Sequence, residues 1–232
     1  MARLLDGPRV APATGGPARQ LVIFAHGYGS NGDDLIGLAP YLAQALPEAA
    51  FAAPNAPEPV PGFPGAAYQW FPLTGMDLDR LAAGVQSAAS TLDAFIDAEL
   101  ARHRLPASAC ALVGFSQGTM MSLHVGPRRP EALGAVVGFS GLLAAPERLA
   151  REIRSRPPML LCHGDRDDRV PAQAMFAALG ALGDAQAPAL WRLCPGQGHT
   201  IPEEALSLSA EFLHDAFAGG FAGWTGPVGP RA

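Results

Sequence analysis

The chain has 232 residues, which suits one large domain with room for a substantial core better than two domains. Hydrophobic residues make up 49% of it, yet no apolar run reaches membrane-spanning length, and residues 1–20 lack the apolar core of a secretory signal, so a cytoplasmic location without stable membrane insertion is expected. The net charge of −5, with no basic run, argues against nucleic acid as a partner.

In chain order, residues 1–19 are dominated by Gly, Pro and Ala and are expected to pack weakly on a body spanning 20–218. A strand at 21–25 opens the body, followed by a helix at 35–45 and a strand at 50–53. Residues 52–71 hold seven prolines or glycines, long for a connection in a compact domain. They read either as the wall of a functional site or as a mobile surface loop. A helix at 78–100 puts Leu78, Leu81, Val85, Leu92, Phe95 and Ile96 on one side at helical spacing, with most charged residues elsewhere. Strands at 109–114, 135–139, 159–162 and 189–193 then alternate with helices at 117–125, 171–182 and 203–217. The strands are short, near-continuous apolar runs, the pattern of strands covered on both faces. This alternation predicts an α/β domain with a mainly parallel central sheet and helices on both faces. Residues 219–232 read as a loose Gly/Pro-rich tail, although Phe221 and Trp224 could dock it on the body. Cys110, Cys162 and Cys194 lie in or beside apolar runs, without C-x-x-C spacing, and read as buried structural thiols.

Gly114-Phe115-Ser116-Gln117-Gly118 matches G-x-S-x-G between a strand and a helix, the context that gives this motif meaning. The chemistry needs a very sharp turn that holds the serine hydroxyl over the end of the sheet. Side chains two residues to either side would collide there, so both positions are glycine. The helix starting at Gln117 aims free N–H groups at the same place and favours developing negative charge. Gly138-Phe139-Ser140-Gly141-Leu142 is a built-in control: it also follows an apolar run but lacks the second glycine. Ser140 is therefore expected to be an ordinary strand-end residue.

Serine is a poor nucleophile at neutral pH and needs a base; with this motif the chain order is Ser, then Asp or Glu, then His. Of six histidines, His199 lies in the glycine-flanked loop after the last body strand and is preferred. His163 also lies at a strand end but precedes every candidate acid, and His26 reads as a structural hydrogen-bonding group. His103, His124 and His214 lie in or beside helices, with no pairing suggestive of a metal site. Asp165, Asp167 and Asp168 compete for the acid. Asp167 is favoured, deep in the loop and just ahead of Val170-Pro171, whereas Asp165 suits a loop-tying role and Asp168 a solvated charge.

His26-Gly27-Tyr28-Gly29-Ser30-Asn31-Gly32 follows the first body strand and contains G-x-G-x-x-G, which is also a dinucleotide fingerprint. That use requires an acid at the end of the next strand, where Pro54-Asn55 stands, so no nicotinamide cofactor is expected. In an acyl-transfer site the same loop supplies one backbone N–H to a developing oxyanion. Tyr28 is the candidate, joined by the N–H of Gln117.

Residues 24–29, Gln69-Trp70-Phe71, the Ser116 motif, His163-Gly164-Asp165-Arg166-Asp167 and Gly198-His199 together resemble the bacterial carboxylesterase and acyl-protein thioesterase family, also called the phospholipase/carboxylesterase family. The likeness spans about 21–217. It implies the α/β-hydrolase fold, a Ser116, Asp167 and His199 triad, no cofactor, and hydrolysis of small-molecule esters or thioesters that bear an acyl chain. It supports Tyr28 and Gln117 as oxyanion donors. It also sets Trp70 and Phe71 near the acyl groove, with a buried core pair as the alternative, and Val170 is expected at the same groove. Two features depart from the family pattern and bear on pocket shape: Ser30-Asn31 stands where an acid is common, and 52–64 is longer than usual. The expected activity is that of a serine carboxylesterase. An acyl-protein thioesterase or lysophospholipase would use the same residues, and a non-catalytic binder would keep the fold. The connection 140–157 is too short for a large cap domain, and a homodimer is compatible with the sequence.

Overall fold

The computed structural model describes residues 5–63, 65–75, 77–187 and 189–223, and the backbone of 229–230. Strand β1 (Arg9–Val10) precedes β2 (Gln20–Ala25). Along β2, Leu21, Ile23 and Ala25 enter one core and Val22 and Phe24 the other, the period of two of a strand buried on both faces. Helices α1 (Gly32–Ile36) and α2 (Ala39–Leu42) follow where the sequence predicts one helix. Pro40 has no N–H to return to Ile36 and, with Gly37, divides it. Asn31, one of the departures from the family pattern, caps α1 by accepting the Asp34 N–H at 3.0 Å.

Next come β3 (Ala49–Ala52), the hairpin strands β4 (Glu58–Pro59) and β5 (Tyr68–Gln69), and α3 (Leu78–His103). Asp77 caps α3 through the Arg80 N–H, and Arg104 ends it in a left-handed conformation, φ 56°. The buried face carries Leu81, Val85, Leu92, Phe95 and Ile96, each stabilising by about 1.5–3 kcal/mol. Leu78, in the first turn, is exposed.

The chain continues through β6 (Cys110–Phe115), α4 (Gln117–Val125), β7 (Ala135–Phe139), α5 (Pro146–Glu152), β8 (Met159–Gly164), α6 (Gln173–Asp184), β9 (Ala189–Cys194), α7 (Glu203–Phe217) and β10 (Gly229–Pro230). Among the described residues, one eight-stranded sheet runs in the order β1-β3-β2-β6-β7-β8-β9-β10, parallel except for β1. Helices α3 to α6 cover one face and α1, α2 and α7 the other. Parallel strands place all their carboxyl ends along one edge, so the loops after β2, β6, β7, β8 and β9 gather there. No large cap interrupts β7 to β8; only the short α5 lies between them. All three cysteines are buried thiols, and burial pushes Cys110 and Cys194 up to about 12. Among the described residues, no helix is long and apolar enough to cross a membrane.

The N-terminal segment is not loose where it is described. Leu5 is buried, β1 pairs with β3, and Ala53 donates its N–H to the Pro8 carbonyl at 3.0 Å. Arg9 reaches the buried Glu99 of α3 at 2.9 Å. Composition reports chain flexibility, but it does not register that β3 would otherwise present a bare edge. The tail also departs from a free one. Phe221 packs on Phe212 with ring centroids 5.1 Å apart, and the backbone of 229–230 adds β10 beside β9. Trp224 lies outside the described residues.

Candidate active site

The strand-end loops surround a groove of about 520 Å³. Ser116 stands on its floor with φ 54° and ψ −114°, a conformation that costs about 1–3 kcal/mol for a residue with a side chain. Close approach holds it there. A Cβ on Gly114 would lie 2.5 Å from the Gly118 carbonyl oxygen, and one on Gly118 would lie 1.8 Å from that of Ala25. The Ser116 N–H donates to the Phe139 carbonyl of the neighbouring strand at 2.9 Å.

His199 arrives from the loop after β9, its Nε2 3.0 Å from Ser116 Oγ. Its Nδ1 lies 2.8 Å from Asp167 Oδ2. The carboxylate can only accept, so Nδ1 carries the proton and Nε2 is left to accept from the hydroxyl. Asp167 is fixed in turn, its Oδ1 accepting the N–H groups of Arg169 and Val170 at 2.9 Å each. Burial raises the Asp167 carboxyl, but the Val170 N–H, the His199 imidazole and the Arg169 N–H outweigh it and hold the group below the usual carboxylate range. An ionised carboxylate, an imidazole and a hydroxyl thus stand in line.

The loop after β2 forms the opposite wall. Tyr28 and Gln117 both line the groove, and neither backbone N–H is committed to an acceptor among the described residues. His26 steadies this loop. Its Nε2 accepts the Ala56 N–H at 2.9 Å, so Nδ1 carries the proton and donates to the Gly27 carbonyl at 2.7 Å. Asn55, where a dinucleotide site would want an acid, accepts the Gly32 N–H at 2.8 Å.

Leu35, Leu38, Leu73, Met120, Val170 and Ile201 give the groove an apolar lining. Val170 lines the groove, whereas Trp70 and Phe71 take the buried core positions that are the alternative in the sequence. Both rings are 1% exposed and neither lines the groove. Trp70 Nε1–H donates to the His26 carbonyl at 2.9 Å, and Phe71 fills the space over Gly84 of α3. Large flat side chains there close the core under β2 and α3, so they support the wall from behind. The Gln117 side chain has a role that no local signal in the sequence marks. Its Oε1 accepts the Trp70 N–H at 2.9 Å and its Nε2 donates to the Phe71 carbonyl at 2.8 Å, tying this segment to the turn at Ser116.

The competing residues take other places. Asp165 accepts the Gly196 N–H at 2.7 Å, tying two loops together, and Asp168 is exposed. Ser140 is 1% exposed, and its hydroxyl donates to the Thr200 carbonyl at 3.3 Å. His163, set aside for its position in chain order, lies 3.3 Å from Asp167 Oδ2.

A parallel sheet with helices on both faces and a serine on a glycine-flanked turn between strand and helix defines an α/β-hydrolase. Residues 7–216 match the family model described as phospholipase/carboxylesterase. The chain belongs to that family and is a carboxylic ester hydrolase. It is 27% identical to the esterase YpfH of Escherichia coli K12, over 85% of this chain and 83% of that one. It is 32% identical to acyl-protein thioesterase 1 of Saccharomyces cerevisiae, over 72% of this chain and 78% of that one. A crystal structure of esterase PE8 superposes with a TM-score of 0.88 at 42% identity, covering 92% of this chain and all of the other.

Proposed function

We propose that the chain is a serine carboxylesterase working through an acyl-enzyme on Ser116. The observation that carries this reading is the unbroken hydrogen-bonded line from Asp167 through His199 to Ser116. His199 Nε2 takes the Ser116 proton as Oγ attacks the ester carbonyl. The Tyr28 and Gln117 N–H groups receive the oxyanion, and losing one such donor typically costs about 3–4 kcal/mol of transition-state stabilisation. The imidazolium, held by Asp167, then protonates the departing alkoxide. Water repeats the attack on the acyl-enzyme and gives its proton to His199, which passes it to Ser116 Oγ as the acyl–oxygen bond breaks and the acid departs. The apolar groove, with Val170 on its wall, supports an acyl chain as the group bound there. Cytoplasmic residence is part of the same reading, supported by three cysteines that remain thiols.

A thioesterase acting on acylated proteins is the second reading, favoured by the likeness to the yeast relative. It uses the same residues with a thiolate as leaving group. A fluorophosphonate probe followed by mapping of the labelled peptide tests the nucleophile, with Ser116 the expected site; folded protein that stays unlabelled would favour a non-catalytic binder. A panel of short-chain oxygen esters, acyl-peptide thioesters and lysolipids separates the leaving groups, with the oxygen esters expected to be hydrolysed fastest.

A further inference from the structure

We propose that His163 is a positioning residue for the reaction, its Nε2–H holding the same oxygen of Asp167 that receives the Nδ1–H of His199. This rests on the triad reading above. His163 sits near the end of β8 with its side chain 1% exposed, and the Asp167 side chain is 0% exposed. Its Nε2 is 2.8 Å from the Val170 carbonyl and 3.3 Å from Asp167 Oδ2. Both neighbours can only accept, so Nε2 must carry a proton, shared between them. Burial lowers the imidazole below its ordinary range, only partly offset by the Val170 carbonyl and Asp167, which keeps the ring neutral. The small cavity beside it is walled by Thr119, Leu123, Met175 and Ala178 and by the Cys162 thiol, which burial pushes well above its ordinary value and so keeps uncharged. The other titratable groups that act on His163 are Asp167 and His199.

This arrangement completes the seating of the carboxylate. Oδ1 is held by two backbone N–H groups, and Oδ2 lies between two imidazoles, 2.8 Å from His199 Nδ1 and 3.3 Å from His163 Nε2. An ionised oxygen has lone pairs enough for both donors. Without the His163 N–H, the side of Asp167 that orients the base has no anchor but the base itself. The same N–H also fixes the Val170 carbonyl, so acid and groove wall share one tether. A residue seating the acid affects how often His199 points at Ser116, and therefore turnover more than substrate binding.

The test compares His163→Phe, which fills the space without a donor, with His163→Gln, whose side-chain N–H can take over from Nε2–H. On a short-chain ester, the Phe variant should lose roughly ten- to a hundredfold in kcat with a much smaller change in KM, the size expected for a lost hydrogen bond to a charged group. The Gln variant should recover most of that loss. Should the Phe variant fail to fold, nitrogen-15 spectra of the histidines decide with the native chain. His163 should show the neutral tautomer protonated at Nε2, with an N–H resonance that moves in Asp167→Asn. A Phe variant as active as wild type, a kcat loss that Gln does not recover, a tautomer protonated at Nδ1, or a resonance indifferent to Asp167→Asn would each overturn the assignment. Failure of the triad reading has its own sign, a wild-type chain whose Ser116 ignores the fluorophosphonate.

Discussion

Ser116 and Ser140 end adjacent parallel strands in matching register, Gly114 beside Gly138 and Phe115 beside Phe139. Both adopt positive φ, 54° and 49°. The sign of φ is shared and the outcomes differ. After Ser116 the chain enters α4 at once, leaving the Gln117 N–H unspent at a helix start, and an imidazole meets the hydroxyl at 3.0 Å. After Ser140 there is no helix until Pro146, and the hydroxyl is turned inward onto the Thr200 carbonyl. A strained serine at a strand end is thus not a nucleophile by virtue of its bend. On the proposed reading, the second glycine, the helix and the approaching imidazole set Ser116 apart.

Removing each element in turn breaks this comparison or sharpens it. Ser116→Ala should cost at least about 10⁴-fold in kcat while the thermal midpoint stays near wild type. Activity surviving that change would move the nucleophile elsewhere, Ser140 being the first place to look. Asp167→Asn should lower kcat about 10³- to 10⁴-fold, because the amide can donate to Nδ1 and so favours the wrong tautomer; an equal loss in Asp165→Asn would reassign the acid. Ser140→Ala should change kcat by no more than roughly two- to threefold, since it deletes one long hydrogen bond between uncharged groups. The mildest effect concerns the other end of α4. There, burial and the neighbouring Arg128 push His124 down to about 4, with Glu152 partly offsetting. The unfolded chain, with this group near its ordinary value of about 6.5, binds more protons between those limits. The native state therefore loses stability as pH falls from about 6.5 towards 4. His124→Gln should flatten that slope in urea midpoints, and a slope as steep as wild type would mean that another group causes it.

The parts of this contrast legible in the sequence were those with a local cause. The bounds of α4 and α7 coincide with the expected 117–125 and 203–217, because apolar period and flanking breakers lie within the segments themselves. Ser116, Asp167 and His199 are singled out by motif, order and loop position; Ser116 and His199 line the groove, and Asp167 lies buried behind His199. Features made by distant pairing were not visible. The pairing of β1 with β3 depends on an exposed edge some forty residues away. For Trp70 and Phe71 the resemblance implies the groove and leaves a buried core pair as the alternative; the sequence cannot choose, because burial against Gly84 and His26 depends on distant contacts. His163 was discarded by an ordering rule that governs only the general base. Its contact with Asp167 needs β8 to continue two residues beyond the expected end, through pairing with Leu193 and Cys194.

The antiparallel β1 has a practical corollary for anyone who trims this protein. A truncated version starting at Arg19 looks harmless by composition, yet it would remove Arg9 and leave the 2%-exposed Glu99 facing only the half-exposed Arg102 at 3.3 Å. Breaking a fully buried ion pair costs about 3–5 kcal/mol; here the retained Arg102 offsets part of that loss. The same cut would uncover the backbone of 51–52, an invitation to strand-by-strand self-association, so shortened preparations should clump before they unfold.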